Sequence, residues 1–194
     1  MRSLLPLLLS LACSMTACRS ERPAPPALDG ALFPSVAGEA LDGRKVELPG
    51  AVAGAPAVLL VAFEMETQFD CDRWLLGLVQ AQTPVAVLEV PTLPGMVPGL
   101  ISGTIDAGMR EGIPSEDWGV VVTLYGDDAE RLFEFTGGVR DRNARVLLLD
   151  RDGRVVWHHA RGYSARLLAE LDQRVRALNA APAAAEAPAA SPSR

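Results

Sequence analysis

Short, nearly continuous apolar runs are the feature that most constrains the fold of this chain. Three of them have the length of a strand and little polar alternation: AVLLVAF (57–63), VAVLEV (85–90) and ARVLLLD (144–150). Such runs are expected of strands that are covered on both faces. Stretches with helical periodicity separate them, so the sequence predicts an α/β domain with a central mixed sheet and helices on both faces.

A predicted hairpin opens this alternation, and a second one lies near its end. Residues 32–48 predict a hairpin that turns at Leu41–Asp42–Gly43, and residues 144–159 predict the other around a tight turn. Between the two hairpins the pattern predicts a helix over 71–82 with Asp70 as its N-cap. It also predicts a helix over 99–109, a strand over 120–125 and a helix over 127–135. A last helix is predicted to begin at Ser164 and to turn one side inward: Leu168, Leu171, Val175 and Leu178.

The N-terminal residues have the pattern of an export signal. Arg2 is followed by the apolar run LLPLLLSLAC (4–13), which is too short to be a stable membrane span. The next segment, MTACRS (15–20), resembles a bacterial lipobox. That resemblance implies that Cys18 receives a diacylglyceryl group and becomes the first residue of the mature protein. The alternatives are Cys13 as the lipidated residue, or an ordinary signal peptide.

Four segments follow from this pattern. Residues 1–17 are predicted to be a lipoprotein signal peptide, and 18–30 a flexible tether rich in Pro and Ala. Residues 31–179 are predicted to form the folded domain, and 180–194 a disordered Pro/Ala tail. The expected location is the bacterial cell envelope, with the lipid holding the chain to a membrane. Arg19, rather than Asp, follows the lipidated cysteine, which favours the outer membrane.

The charge balance limits the classes of partner. The formal net charge is −6, and the sequence has no run of Lys or Arg. Nucleic-acid binding requires a basic face that can neutralise phosphates. We therefore expect no nucleic-acid partner, and the predicted partners are the membrane, through Cys18, and an envelope protein.

Cys71 is the one cysteine left for the folded domain once Cys13 leaves with the signal and Cys18 is lipidated. No internal disulfide is then possible. The predicted helix N-terminus would lower the pKa of this thiol, whereas the neighbouring acids would raise it. We interpret Cys71 as a buried packing residue, and the alternative is a working nucleophile.

Three stretches resemble thioredoxin-like proteins. FPSVAGEALDGRKVELPG (33–50) and FTGGVRDRNARVLLLDRDGRVVWHHARGYSARLLAEL (135–171) are similar to membrane-anchored thioredoxin-like reductases and to peroxiredoxins. GMREGIP (108–114), together with LLLDRDGRVVW (147–157), resembles the mitochondrial ATP synthase assembly factor family and its bacterial relatives. This resemblance implies a thioredoxin-like fold with an N-terminal hairpin extension. It also implies a non-redox role in binding, assembly or chaperoning of an envelope protein.

The redox families differ from this chain at the positions that carry their chemistry. No second cysteine follows Cys71 at CxxC spacing, and Ala144 stands where reductases have a cis-proline. Gln68 and Glu64 occupy the Thr and Pro positions of peroxiredoxins, and Arg145 is one residue from their arginine. A shift of one residue on a strand turns a side chain to the other face. The alternative function is a one-cysteine peroxidase or thiol oxidoreductase that uses Cys71.

No metal site or cofactor is predicted. His158 and His159 are adjacent on a predicted strand, so their side chains should point to opposite faces. The predicted protein contact is instead a patch around residues 108–118, with Arg110, Glu111 and Trp118 as its candidate binding residues.

Overall fold

The computed structural model of the chain describes residues 26–96 and 102–181. Its strands are β1 (Val36–Ala40), β2 (Lys45–Leu48), β3 (Ala57–Ala62), β4 (Ala86–Leu93), β5 (Val122–Tyr125), β6 (Arg145–Leu149) and β7 (Val155–His159). Its α-helices are α1 (Gln68–Gln80), α2 (Ser102–Gly112), α3 (Gly126–Phe135) and α4 (Ala165–Ala180). Short 3₁₀ helices cover Gly50–Val52, Met65–Thr67 and Ser115–Val120. The predicted α/β architecture is confirmed.

The strands form one mixed sheet in the order β2-β1-β5-β4-β3-β6-β7. The three central strands β3, β4 and β5 are parallel, and β6 runs antiparallel to β3. The N-terminal hairpin joins the sheet through β1 and β5, and the β6–β7 hairpin forms the opposite edge. The end of β3 therefore lies beside the start of β6, where Val61 is opposite Arg145. The N-terminus of α1 and its surrounding loops meet at this end.

The first hairpin turns where the sequence predicts. β1 ends at Ala40 and β2 begins at Lys45. The Gly43 N–H donates to Ala40 O over 2.8 Å, and Gly43 has a φ of +90°. Glycine adopts that backbone conformation without the steric cost that a Cβ brings.

Two hydrophobic cores lie on opposite faces of the sheet. α3 covers one face, where Leu132 packs against buried side chains of β3, β5 and β6. α1 and α4 cover the other face. The buried residues there include Val58, Leu60, Cys71, Trp74, Leu78, Val146, Leu148, Trp157, Leu171 and Val175.

The helix starts agree with the sequence prediction at α4 and differ at α1. Ser164 caps α4, since its Oγ accepts a hydrogen bond from the Leu167 N–H over 3.2 Å. The prediction of Asp70 as an N-cap is wrong. α1 begins at Gln68, directly after the 3₁₀ turn of Met65–Thr67, so Asp70 lies inside the first turn.

The packed part of the chain reaches into the segment assigned to the tether. Leu28 is buried, and the Gly30 N–H donates to Val155 O over 2.7 Å. The lipidation candidate Cys18 and most of the predicted tail lie outside the described residues. Among the described helices, none has the length and apolarity needed to cross a membrane.

Candidate functional site

Asp70 joins three segments at the end of the sheet where α1 begins. Its carboxylate is fully buried. Oδ1 accepts hydrogen bonds from the Tyr163 N–H at 2.9 Å and from Arg73 Nη2 at 3.0 Å. Oδ2 accepts the Ala144 N–H at 3.0 Å. This one side chain therefore fixes α1 to the loop before β6 and to the loop before α4.

Cys71 follows Asp70 and points into the core beneath α1. Its residue is 1% exposed, and it packs with Trp74 and Leu78 in the core between the sheet and α1. Burial raises the pKa of the Cys71 thiol far above its usual value, and the nearby carboxylates of Glu89, Asp70 and Asp72 raise it further. The thiol is therefore protonated at neutral pH and out of contact with solvent.

Carboxylates line the side of α1 that faces β4. Gln68 Nε2 donates to Asp72 Oδ1 at 2.9 Å and to Glu89 Oε2 at 3.1 Å, so both carboxylates lie around one amide. Burial is the main cause that raises the pKa of Glu89, and Asp72 and Asp117 add to it. The electrostatic potential at this flank of α1 is negative, which disfavours a thiolate and favours a cationic ligand.

Arg145 is buried at the same end of the sheet, in a closed set of contacts. Its guanidinium donates to Asp141 Oδ1 and to Asn143 O, each at 2.8 Å, and also to Val139 O. It lies over the ring of Phe63, 5.6 Å from the centroid. These bonds hold the loop before β6 in place and engage the Arg145 guanidinium within the domain.

Arg145 and Cys71 lie on opposite faces of the sheet. Arg145 pairs with Val61, which belongs to the core beneath α3, whereas Cys71 belongs to the core beneath α1. Directly opposed residues of an antiparallel pair share a face. The sheet therefore separates Arg145 from the thiol, as its one-residue shift from the position of the peroxiredoxin arginine predicts.

An aromatic cluster fills the space between α1 and β7. Trp74 makes edge contacts with Trp157 and Tyr163, at centroid distances of 6.1 and 5.3 Å. His159 stacks on Trp157, and its Nε2 lies 3.0 Å from Gly162 O. Burial lowers the pKa of His159. This histidine is a packed member of the cluster, held by a backbone carbonyl.

The two adjacent histidines are separated by the sheet, as predicted. His158 is paired with Leu147 of one core and His159 with Val146 of the other. Across the described residues, no group of three or more His, Cys, Asp or Glu side chains is arranged to hold a metal ion.

The outer face of α1 exposes large apolar side chains. Met65 just before the helix is 90% exposed, Phe69 72%, Leu76 58% and Val79 64%. They lie on the opposite side from Trp74 and its buried neighbours. The sequence indicates this stripe, because side chains spaced by 4, 7 and 3 residues lie on one side of a helix. That side was not identified from the sequence.

The predicted contact patch forms a compact corner beside the first hairpin. Arg110 Nε donates to Leu41 O at 2.7 Å, and its guanidinium lies 5.8 Å from the centre of the Trp118 ring. Trp118 Nε1 donates to Ile113 O at 2.9 Å. The structure thus brings Arg110 and Trp118 together, both half-buried, while Glu111 is exposed on α2.

Solved structures share this architecture. Yeast Sco1 has a TM-score of 0.56 at 15% identity, with 78% of this chain and 97% of Sco1 covered. The exposed lipoprotein thioredoxin Etrx1 of Streptococcus pneumoniae has a TM-score of 0.51 at 17% identity, covering 73% and 99%. The thioredoxin domain of a thiol-disulfide oxidoreductase from Bacteroides vulgatus has a TM-score of 0.51 at 18% identity, covering 76% and 97%.

Sequence comparison adds no closer relationship. No protein-family model matches the chain, and no curated protein matches it. At sequence identities below one fifth, the structural similarity shows a shared fold only. The chemistry of this chain has to be argued from its own residues. The predicted fold class is confirmed, and the chain has a thioredoxin-like fold with an N-terminal β-hairpin added to its sheet.

Proposed function

We propose that this chain is a thioredoxin-fold protein without thiol chemistry, which binds a protein partner at the bacterial cell envelope. One observation carries the proposal. Cys71, the cysteine of the described residues, is buried and surrounded by carboxylates that disfavour its thiolate. Thiol–disulfide exchange and peroxide reduction both start from an accessible thiolate.

The loop that faces the thiol in redox relatives is also committed to a structural bond here. Ala144, at the position of their cis-proline, donates its N–H to Asp70. A proline has no N–H and could not make this bond. The buried Asp70 carboxylate therefore supports a fold-stabilising role for this end of the sheet in place of a redox one.

What this end offers to other molecules is an apolar surface. Met65 and Phe69 project into solvent at the start of α1. Contiguous exposed apolar side chains in a soluble domain mark binding surfaces more often than they mark chemistry. A binding role also agrees with the resemblance to the ATP synthase assembly factor family.

The potential metal-ligand side chains of this chain support copper binding less than they support protein binding. Yeast Sco1 has been solved with copper bound. In the described part of this chain, Cys71 is the one cysteine, its thiol is buried, and no group of three or more potential ligands is arranged to hold a metal ion. Soft thiolate ligands are what would select Cu(I).

The envelope location in the proposal derives from the N-terminal sequence. MTAC (15–18) after a short apolar run supports a lipid on Cys18, and Arg19 supports the outer membrane. Two acyl signals or more give a firm membrane anchor. Residues 19–27 then separate the lipid from Leu28, the first buried residue of the described part of the chain.

The patch of Arg110, Glu111 and Trp118 is a second surface that we propose for the partner. Its supporting observation is the half-buried Trp118 ring, with the Arg110 guanidinium over it at a corner of the domain. Tryptophan and arginine are the residue types most enriched in energetically dominant interface positions.

Thiol chemistry is tested directly on the purified chain. The alkylation of Cys71 is measured over a range of pH by peptide mass mapping. It should proceed only in denaturant, because the folded domain buries the protonated thiol. Peroxide consumption with an external thiol should equal that of Cys71→Ser. A Cys71 that titrates below pH 8, with turnover lost in Cys71→Ser, would establish the one-cysteine peroxidase instead.

A further inference from the structure

We propose that the outer stripe of α1, formed by Met65, Phe69, Leu76 and Val79, docks a basic amphipathic helix of a protein partner. The proposal rests on the proposed binding function and assigns it a surface and a partner chemistry. The occupant would bury these apolar side chains with its own apolar face and place Lys or Arg against the bordering carboxylates.

The stripe is long enough for a helical ligand. Met65 and Val79 are separated by 14 positions, which is about 21 Å along a helix at 1.5 Å per residue. The four side chains are between 58% and 90% exposed. An amphipathic helix presents apolar anchors at matching intervals of three or four residues, so it can follow such a stripe from end to end.

Carboxylates border and interrupt the stripe. Asp72 is exposed and lies on α1 between Phe69 and Leu76. Its neighbour Glu89 is held beside it by Gln68, and Asp117 is close enough to act on Glu89 electrostatically. Because Gln68 is neutral, the hydrogen bond that it donates to Asp72 leaves the charge of that carboxylate uncompensated.

Two cations at this end of α1, Arg73 and Arg140, are already paired. Segment 64–80 contains four acids and one basic residue, Arg73. Arg73 Nη2 donates to Asp70 at 3.0 Å, and Arg140 lies 3.5 Å from Glu64. The border of the stripe is therefore acidic, and charge complementarity selects a basic partner.

This charge disfavours the other occupants of an apolar helix face. A second copy of the chain, packed antiparallel on α1 with Met65 against Val79, would also bring the two Asp72 carboxylates together. An anionic lipid surface would meet the same carboxylates with like charge. A cationic apolar helix meets neither penalty.

The probe is a pair of synthetic Leu-based amphipathic peptides, about 18 residues or five helical turns long, with Lys in one and Glu in the other. Fluorescence anisotropy of each peptide is titrated with the full chain. The Lys peptide should bind, and added salt should weaken its binding, because the contact is partly electrostatic. The Glu peptide should not bind measurably.

Two matched pairs of variants locate the site. Leu76→Gln should weaken binding about tenfold, whereas Leu32→Gln should leave it unchanged, although both leucines are 58% exposed. Asp72→Lys should weaken binding more than Glu130→Lys, since Glu130 is an exposed acid of α3 on the other face of the sheet. Circular dichroism should show all four variants folded.

Each contrary outcome overturns the docking proposal. Equal binding of the two peptides would show a non-selective apolar surface, and equal effects of Leu76→Gln and Leu32→Gln would place the contact elsewhere. A dimer in sedimentation that Leu76→Gln dissolves would assign the stripe to a second copy. Binding to phosphatidylcholine vesicles that depends on Phe69 would assign it to lipid. With Cys71 inert in the thiol assays, any of these results leaves the proposed function standing.

Discussion

Replacing Asp70 removes the side chain that joins α1 to two loops. Asp70→Ala deletes the acceptor of the Ala144 N–H, the Tyr163 N–H and the Arg73 guanidinium at once. Ala144 is fully buried, so its N–H has no water to turn to. Tyr163 is half-buried and Arg73 is exposed, so their donors can recover hydrogen bonds from solvent.

The expected loss of stability follows from these exposures. A buried donor left without its acceptor costs about 1–3 kcal/mol, and the partly exposed donors add less than that. We expect Asp70→Ala to lower the free energy of unfolding by about 3–4 kcal/mol, which is a large part of the roughly 5–15 kcal/mol of a typical domain. The melting temperature should fall by about 10 °C in a domain of this size.

Urea titration measures the loss, and amide hydrogen exchange locates it. Asp70→Ala should accelerate the exchange of the Ala144 and Tyr163 amides, relative to the unchanged chain, more than it accelerates the exchange of the β3 amides. Asp70→Asn should cost less than Asp70→Ala, because its one carbonyl oxygen can still accept the Ala144 N–H while its NH₂ group faces the other two donors. Ala144→Pro removes one of the same bonds from the other side and should cost about 2–3 kcal/mol.

Asp72→Asn is the matched control, since it changes an exposed acid two residues further along the same helix. Its effect should stay within about 0.5 kcal/mol. If Asp70→Ala costs no more than Asp72→Asn, or if the amides of Ala144 and Tyr163 remain protected, the carboxylate does not hold the two loops and the reasoning is refuted.

Three further predictions concern charge, anchoring and the second surface. Burial raises the pKa of Glu89, so the stability that this carboxyl contributes is full at acid pH and is lost as pH rises through the raised pKa. Glu89→Gln should therefore raise the free energy of unfolding measured by urea titration at neutral pH, and no gain would contradict this. Cys18→Ser should move the chain out of the membrane fraction and abolish acyl labelling, and unchanged retention would remove the lipid anchor. Trp118→Ala and Arg110→Ala should reduce crosslinking to envelope proteins with little change in melting temperature; unfolding of both would make the patch structural.

Local patterns in the sequence were sufficient for most of the fold. The apolar runs placed β3, β4 and β6, although β4 is only partly buried. Leu41–Asp42–Gly43 placed the first turn, and Ser164 placed the start of α4. Each of these features depends on neighbours a few residues apart. The same holds for the adjacent histidines, whose opposite orientation follows from the alternation of side chains along a strand.

The site depended on contacts that no local pattern contains. Asp70 has the sequence context of an N-cap, but its carboxylate bonds lie 74 and 93 residues away along the chain. The negative flank of α1 likewise depends on Glu89, which only the sheet brings next to Asp72.

The sequence by itself determined the order of strands and helices, the lack of a second thiol at CxxC spacing and the acidic character of the segment around Cys71. Tertiary structure decided the rest. It buried the thiol beneath α1, set Arg145 on the other face of the sheet, and left the outer stripe of α1 exposed among the described residues. The physical reason is that periodicity identifies the apolar sides of a helix, whereas burial depends on what the remainder of the chain packs against each side.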